Sequence, residues 1–255
     1  EWKDLQSLLA KTNDSLEHSK TFHAYAYGVD GSLAVIAATQ TAMLADADGT
    51  DVHTAELLVT NHKTFVADIK ARADDIRQLG FEGAGMVKAG HPSATDLKKK
   101  MTELDDAYAK LNDASVARER QLLLNHEYEE FKELIRQLNT YNTKHDLVLS
   151  SIDVGDSLER AQDLIQDYAH HASTRTAHQD LLRGMQLAAE KLLHQKGCPD
   201  TAEIAKMRDE TVKTVGVLDG KAVERDTALN ISLLLHQLVR DGLEADDWIA
   251  AALKV

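Results

Sequence analysis

Twelve histidines and one cysteine are the residues of this 255-residue chain best suited by type to chemistry. His126 with Glu129 and Glu130 has the three- and four-residue spacing that sets three possible metal ligands on one helical face. That is part of a site only, because no nearby Cys or His completes it, and a solvated surface is the simpler reading. His170, His171 and His178 form a richer set, yet His171 and His178 stand two turns apart, ~10 Å along a helix, too far to share one ion directly. His62 falls on an apolar stripe, where a histidine satisfied inside the core is expected. Cys198 would need a nearby base and a stabiliser of developing charge to act as a nucleophile. Gly80, Gly83, Gly85 and Gly90 lack the strand before and the helix start after that a phosphate-cradling loop requires, and are expected to loosen the end of a helix. No catalytic, cofactor-binding or metal-binding residue is predicted. The acidic runs Glu127 to Glu130 and Asp105-Asp106 are read as solvent-facing, with Glu127, Glu129 and Glu130 as a candidate docking surface.

The elements that carry these residues are set by an internal repeat. The only two prolines stand in nearly the same phrase, Gly90-His91-Pro92-Ser93-Ala94-Thr95 and Gly197-Cys198-Pro199-Asp200-Thr201-Ala202. Trp2, Tyr108 and Val215 are each followed three residues later by a leucine, Leu5, Leu111 and Leu218. Tyr25, Phe131 and Leu238 form a second set, Val35, Tyr141 and Trp248 a third, and Gly49 matches Gly155. His62 matches Tyr168, and Arg118 matches Arg225. The step is 106 residues as far as Tyr168 and 107 from Gly197 onward, so one residue is gained in or just after the second unit's middle helix. So long a period excludes the short solenoid units and points to a tandem array of three-helix units.

Apolar residues at alternating steps of four and three place a helical seam through Leu58, His62, Phe65, Ile69, Ile76, Leu79 and Met86. A second follows Pro92 through Leu97, Met101, Leu104, Tyr108, Leu111, Ser115, Arg118 and Leu122, with Ser93 or Thr95 as cap. Between Ala94 and about Ser150 there is neither Pro nor Gly. A further seam runs through Phe131, Leu134, Leu138, Tyr141, His145, Val148 and Ile152, so the third helix of one unit is expected to flow into the first of the next, a rod of roughly 80 Å. A shared helix of this kind should make neighbouring units melt together. In the second unit a turn at Val154-Gly155-Asp156 precedes one helix from Ser157 to about Gln195, the Gly197-Cys198-Pro199 loop, and a last helix to Val255. The matching first-helix seam of the first unit (Tyr25, Gly28, Ser32, Val35, Thr39, Ala42, Asp46) is poorly apolar. With Gly28 and Gly31 each costing ~1 kcal/mol relative to Ala, a bent, frayed or register-shifted helix is expected there.

Composition fits an extended helical protein: Pro is nearly absent and aromatic residues make up 5%. A formal charge of -13 disfavours nucleic acid and anionic lipid as direct ligands and leaves room for a basic partner. No apolar run approaches the ~20 residues that span a bilayer, and Glu1-Trp2-Lys3 does not open a signal peptide. A single cysteine is most easily read as a reducing, cytoplasmic setting. The chain reads as a fragment of something larger.

This pattern resembles the spectrin repeat, a left-handed three-helix coiled coil of about this period, across essentially the whole chain. Trp2 and Trp248 stand at the family's third-helix and first-helix tryptophan positions, His62 at a middle-helix histidine, and Asp153 to Leu158 and Gly90 to Pro92 are similar to its two loops. Ser232 to Leu238 and Trp248-Ile249 are most like interior repeats of α-spectrin. Both complete repeats depart from the signature, with Val35, Tyr108, Tyr141 and Val215 in place of Trp. A Trp-to-Val change removes apolar area worth ~2 kcal/mol or more unless neighbours fill the space. The resemblance implies an all-α rod of tandem three-helix left-handed coiled-coil repeats joined by continuous helices. Residues 1–19 would end the third helix of a preceding repeat, 20–126 and 127–233 would be complete repeats, and 234–255 would start a following one. It implies no cleft in which Cys198 could act, and no cofactor. It further implies a structural, non-enzymatic spacer of the membrane skeleton at the inner face of the plasma membrane, with an antiparallel spectrin chain as partner. Actin would be reached only through domains outside this segment. Docking of ankyrin or another basic protein is the alternative.

Overall fold

The computed structural model describes residues 1–45, 48–198 and 200–253, the side chains of His171 and Thr176 excepted. Asp46, Pro199 and Val255, which the sequence places in a seam, a loop and a helix end, lie outside the described residues. Among these residues the elements are six helices and no strand: α1 (Trp2–Ala45), α2 (Val52–Lys88), α3 (Ala94–Leu149), α4 (Leu158–Ser173), α5 (Arg175–His194) and α6 (Thr201–Ala252). The chain divides into two compact units, Glu1–His126 and Glu127–Val255, and the unbroken α3 contributes its first part to one and its second part to the other.

In unit 1 the buried positions of α2 are Ala55, His62, Ile69, Ile76 and Gly83, each seven residues from the next. Those of α3 include Leu97, Leu104, Leu111 and Arg118 at the same interval, with Ser115 and Leu122 buried between and beyond them. A 3.5-residue repeat on a 3.6-residue helix forces left-handed supercoiling, which keeps each seam facing its neighbours along its length. Tyr25, Val29, Ile36, Ile69, Ile76, Leu97, Leu104 and Leu111 form one continuous core, each large aliphatic side chain contributing about 2 kcal/mol by burial.

The ends of the elements have local causes. Asp51 caps α2 through a reciprocal pair: Thr54 N–H donates to its Oδ1 at 2.9 Å, and Asp51 N–H donates to Thr54 Oγ1 at 3.2 Å. At the other end Gly90, with φ of 79°, donates to Val87 O at 3.1 Å while His91 N–H reaches Met86 O at 3.2 Å. That pair of bonds satisfies two of the last carbonyls of α2 and turns the chain toward α3.

Several expectations are corrected. The first-helix seam follows the opposite rhythm: Tyr25, Val29, Ile36 and Met43 are buried in α1, and Phe131, Ile135, Leu138, Asn142, His145 and Leu149 in α3. Both rhythms share Phe131, Leu138 and His145, but this one draws Val29, Ile36, Ile135 and Leu149 inward in place of Gly28, Val35, Leu134 and Val148. Ile152, the expected end of the seam, is 95% exposed beyond the end of α3. Across Gly28 and Gly31 α1 remains helical, and its register matches that of the second unit position for position at a step of 106. Gly80, Gly83 and Gly85 likewise lie within α2, which continues to Lys88. Gly83 is there because a Cβ would come 2.5 Å from Tyr25 Oη and 2.8 Å from Met101 Sδ.

The interruption falls elsewhere. The middle helix of unit 2, expected to run unbroken from Ser157 to Gln195, is divided at Thr174 into α4 and α5. Ser173 Oγ donates to His170 O at 2.6 Å and Thr174 Oγ1 pairs with the Tyr141 hydroxyl at 3.0 Å, while His178 N–H reaches Thr174 O only at 3.4 Å. Hydroxyl side chains that bond locally compete with the backbone ladder in this way. The buried positions Ala161, His178, Met185, Ala189 and Leu192 nevertheless stay on one heptad grid through the break. The step of 106 holds as far as Leu192, opposite Met86, and the gained residue lies between Leu192 and Gly197.

Candidate functional site

The features that recur in both units are the loops. In unit 1 the buried Arg118 on α3 donates from Nη1 to Asp48 Oδ1 at 2.9 Å, Gln121 Nε2 donates to Asp48 Oδ2 at 3.1 Å, and Asn125 Nδ2 donates to Gly49 O at 2.9 Å. In unit 2 the equivalent Arg225 on α6 donates to Ser151 O at 2.9 Å and Asp153 O at 2.6 Å, and His236 Nε2 donates to Gly155 O at 3.3 Å. A Cβ on Gly49 would lie 2.5 Å from Ala55 N, and one on Gly155 2.7 Å from Ala161 N. The repeated glycines therefore let the first loop lie directly on the opening turn of the middle helix, and the repeated arginines hold it there. Asp153 adds to the clamp: Gly155 N–H, Arg160 and the nearby Arg225 hold its carboxyl below the usual carboxylate range.

The second loop is latched to the first helix by different chemistry in each unit. His91 is buried; its Nε2–H donates to His18 O at 3.0 Å and its Nδ1 accepts from Ser93 N–H at 3.1 Å. In unit 2 Glu127 takes that part, accepting from Gln195 Nε2 at 2.6 Å and pairing with Lys191 Nζ at 2.9 Å. Cys198, half-buried at the same place, has its thiol pushed up by burial and by the Glu127 carboxylate, which lowers its reactivity.

The acidic run is therefore not the uniformly solvated face expected of it. Glu129 is buried, 5% exposed, with its carboxylate 2.7 Å from Lys132 Nζ; it continues the line of Ser115 and Leu122, each seven residues from the next on one face of α3. Glu127 is half-buried and engaged with the loop, while Glu130 is exposed. Asp105 and Asp106 are exposed as expected. His62 is a satisfied core histidine, donating from Nε2 to Ser115 O at 3.0 Å. His170 is exposed, the side chain of His171 lies outside the described residues, and His178 is buried with Nε2 donating to Asn142 Oδ1 at 3.0 Å. Among the described residues no group of three or more His, Cys, Asp or Glu could hold a metal ion, and no helix is long and apolar enough to cross a membrane.

Residues 20–124 match the family model described as the spectrin repeat. That stretch is therefore a spectrin-type repeat, and spectrins are what the chain as a whole is similar to. It is similar to the mouse erythrocytic spectrin alpha chain 1, 23% identical over 97% of this chain and 10% of the relative. The Drosophila melanogaster spectrin beta chain is 21% identical over 97% of this chain and 11% of the relative. Human non-erythrocytic spectrin beta chain 5 is 23% identical over 97% and 7% respectively. The chain spans about a tenth of the length of the curated relatives it matches. Alpha and beta chains stand at similar identity. The paired loop clamps and the polar layer at Asn142 and His178 were not foreseen. Arg118 and Arg225 were visible as repeat marks, and the Asn142 layer had a signal in the polar residue that takes the place of Ile36 at a step of 106.

Proposed function

We propose that this segment is a non-catalytic spacer in a spectrin-like membrane skeleton, a flexible and extensible part of the actin-associated cortical cytoskeleton at the inner face of the plasma membrane. Its partner would be an antiparallel spectrin chain, with actin contacted through other parts of the parent protein. The observation that supports this most is that each unit has its own core and its own loop clamp, while α3 passes from one to the other without interruption. Units of this kind can open under load while the chain stays connected.

Stretching single molecules of the whole chain between two handles tests the reading. Reversible lengthening is expected, on the order of 30 nm for each unit of roughly a hundred residues at ~3.4 Å per extended residue. A chain that shows no reversible lengthening before its attachments fail would overturn the spacer role. Opening in one event or two reports how strongly α3 couples the units.

The exposed position of Glu130 favours a narrower second reading, in which ankyrin or another basic partner docks on the Glu127, Glu129 and Glu130 stretch. With Glu127 half-buried and Glu129 buried, Glu130 would be the most exposed carboxylate of the three. Glu130→Lys should then weaken ankyrin binding and its salt dependence, and a variant that binds as tightly as the parent chain, with the same loss at high salt, removes this reading.

A further inference from the structure

The most unusual place in the core is the layer beside Thr174. Where unit 1 has Ile36, unit 2 has Asn142, 4% exposed, whose Oδ1 accepts from His178 and whose Nδ2 has no hydrogen-bond partner. His178, 5% exposed, stacks on Tyr141 with ring centroids 4.1 Å apart, and Tyr141 also lies 5.2 Å from the ring of the buried His145. The Tyr141 hydroxyl pairs in turn with Thr174 Oγ1, at the break between α4 and α5. On the other side of Asn142 an open hollow of about 690 Å³ lies between α3 and α6, lined by Asn139, Thr143, Asp146 and Lys221 among others. A histidine, an incompletely bonded amide, a broken helix and a route for water thus converge on one layer.

We propose that this layer is an acid-sensitive opening point, at which protonation of His178 releases the middle helix of unit 2 around Thr174. The charged groups facing His178 are Arg175 on its own helix and Asp219 on α6, and these two are already bonded to each other, Arg175 Nη2 to Asp219 Oδ1 at 2.6 Å. Among the described residues of α3 it meets Tyr141, stacked on its ring, and Asn142, its acceptor, with His145 on Tyr141 beyond; none of these is a carboxylate. A cation formed at His178 is therefore desolvated without a dedicated counter-ion, and burial holds the imidazole below its ordinary value. The sign follows from proton binding. Below about pH 6.5 the opened helix binds a proton that the closed one does not, so closure weakens as pH falls until the depressed native value is reached. Within that window the opening constant rises by up to about tenfold per pH unit. The helix itself offers little resistance, because its backbone ladder is already long at His178 N–H to Thr174 O.

Hydrogen exchange of the whole chain, read by mass spectrometry at pH 7.5 and 5.5 and corrected for the intrinsic rates, tests this. Peptides covering 158–194 should lose up to about tenfold in protection at pH 5.5. His178→Gln keeps a donor for Asn142 and removes the titration, so its protection there should not change with pH. If that variant does not fold, Asn142→Ile with His178→Leu supplies an apolar layer like that of unit 1 and carries the same expectation. Unchanged protection of 158–194 in the parent chain, or an equal loss in the folded variant, overturns the proposal.

Discussion

Gly83→Ala tests the close packing of α1, α2 and α3 in unit 1. In an open helical position the change would stabilise by about 1 kcal/mol, since Ala loses less backbone entropy than Gly. At Gly83 the new Cβ would stand 2.5 Å from Tyr25 Oη, 2.8 Å from Tyr25 Cζ and 2.8 Å from Met101 Sδ. Tyr25 is 5% exposed and packs in the main core, so its ring has little room to move, and overpacking of this kind costs about 1–3 kcal/mol. The net expectation is a loss of up to about 2 kcal/mol after the helix-propensity gain is subtracted, against a gain of about 1 kcal/mol at an open position. Gly31→Ala is the control: nothing lies within 4 Å of its Cβ, so the propensity gain should appear alone. Tyr25→Phe supplies the third corner, because it removes the atom nearest the new Cβ and also a buried hydroxyl that has no hydrogen-bond partner. It should be neutral or stabilising alone. Combined with Gly83→Ala it should recover part of the loss, a coupling of about 0.5 kcal/mol or more. Native-state hydrogen exchange of α2 peptides is the assay, since it reads unit 1 separately from unit 2. Equal stabilities for Gly83→Ala and Gly31→Ala, or strict additivity with Tyr25→Phe, would refute the packing argument.

The loop clamps give three further expectations. Arg225→Met removes both bonds to the Ser151 and Asp153 carbonyls and should destabilise by about 2–3 kcal/mol, seen as faster exchange in peptides spanning 150–165. Gly155→Ala meets a φ of +86° and a Cβ contact of 2.7 Å with Ala161 N, and should cost more than about 1 kcal/mol in urea unfolding, whereas Gly184→Ala, with open space around it, should not destabilise. Asp153 has a depressed native value, so its contribution is present above its ordinary value near 3.8 and is lost as pH falls through the native one. Carbonyl NMR should place its titration below that of an ordinary aspartate, and Arg160→Gln should move it upward.

The seams of α2 and of the first part of α3 were legible because each combines a strong seven-residue rhythm with a terminating Gly or Pro, and Leu97 through Leu122 fall inward as spacing requires. The first-helix register was not. Two rhythms pass through Tyr25 and Phe131, and the repeat marks Val35 and Tyr141 favour the wrong one because they sit at the rim of the core. The division at Thr174 escaped because it depends on a hydroxyl meeting Tyr141 across 33 residues of chain. Glu129 escaped for a related reason: a carboxylate in an acidic run looks solvated, although it stands seven residues beyond the buried Leu122 on the same face of α3. Gly28 and Gly31 misled in the other direction, since helix propensity is weak beside the packing of Val29 and Ile36.

The extra residue between Leu192 and Gly197 carries a practical consequence for anyone who would rewire this chain. One residue added inside a helix turns everything beyond it by about 100°, enough to swing a whole apolar stripe out of the core. An uninterrupted α3 leaves no place in its length to absorb such a turn, and the first loops are pinned by their arginines. Natural drift in length has therefore been taken up in the loop after α5, where a changed count alters no helix phase. The same slot is the one in which to graft a fluorescent tension gauge or a protease tag, leaving both bundles in register.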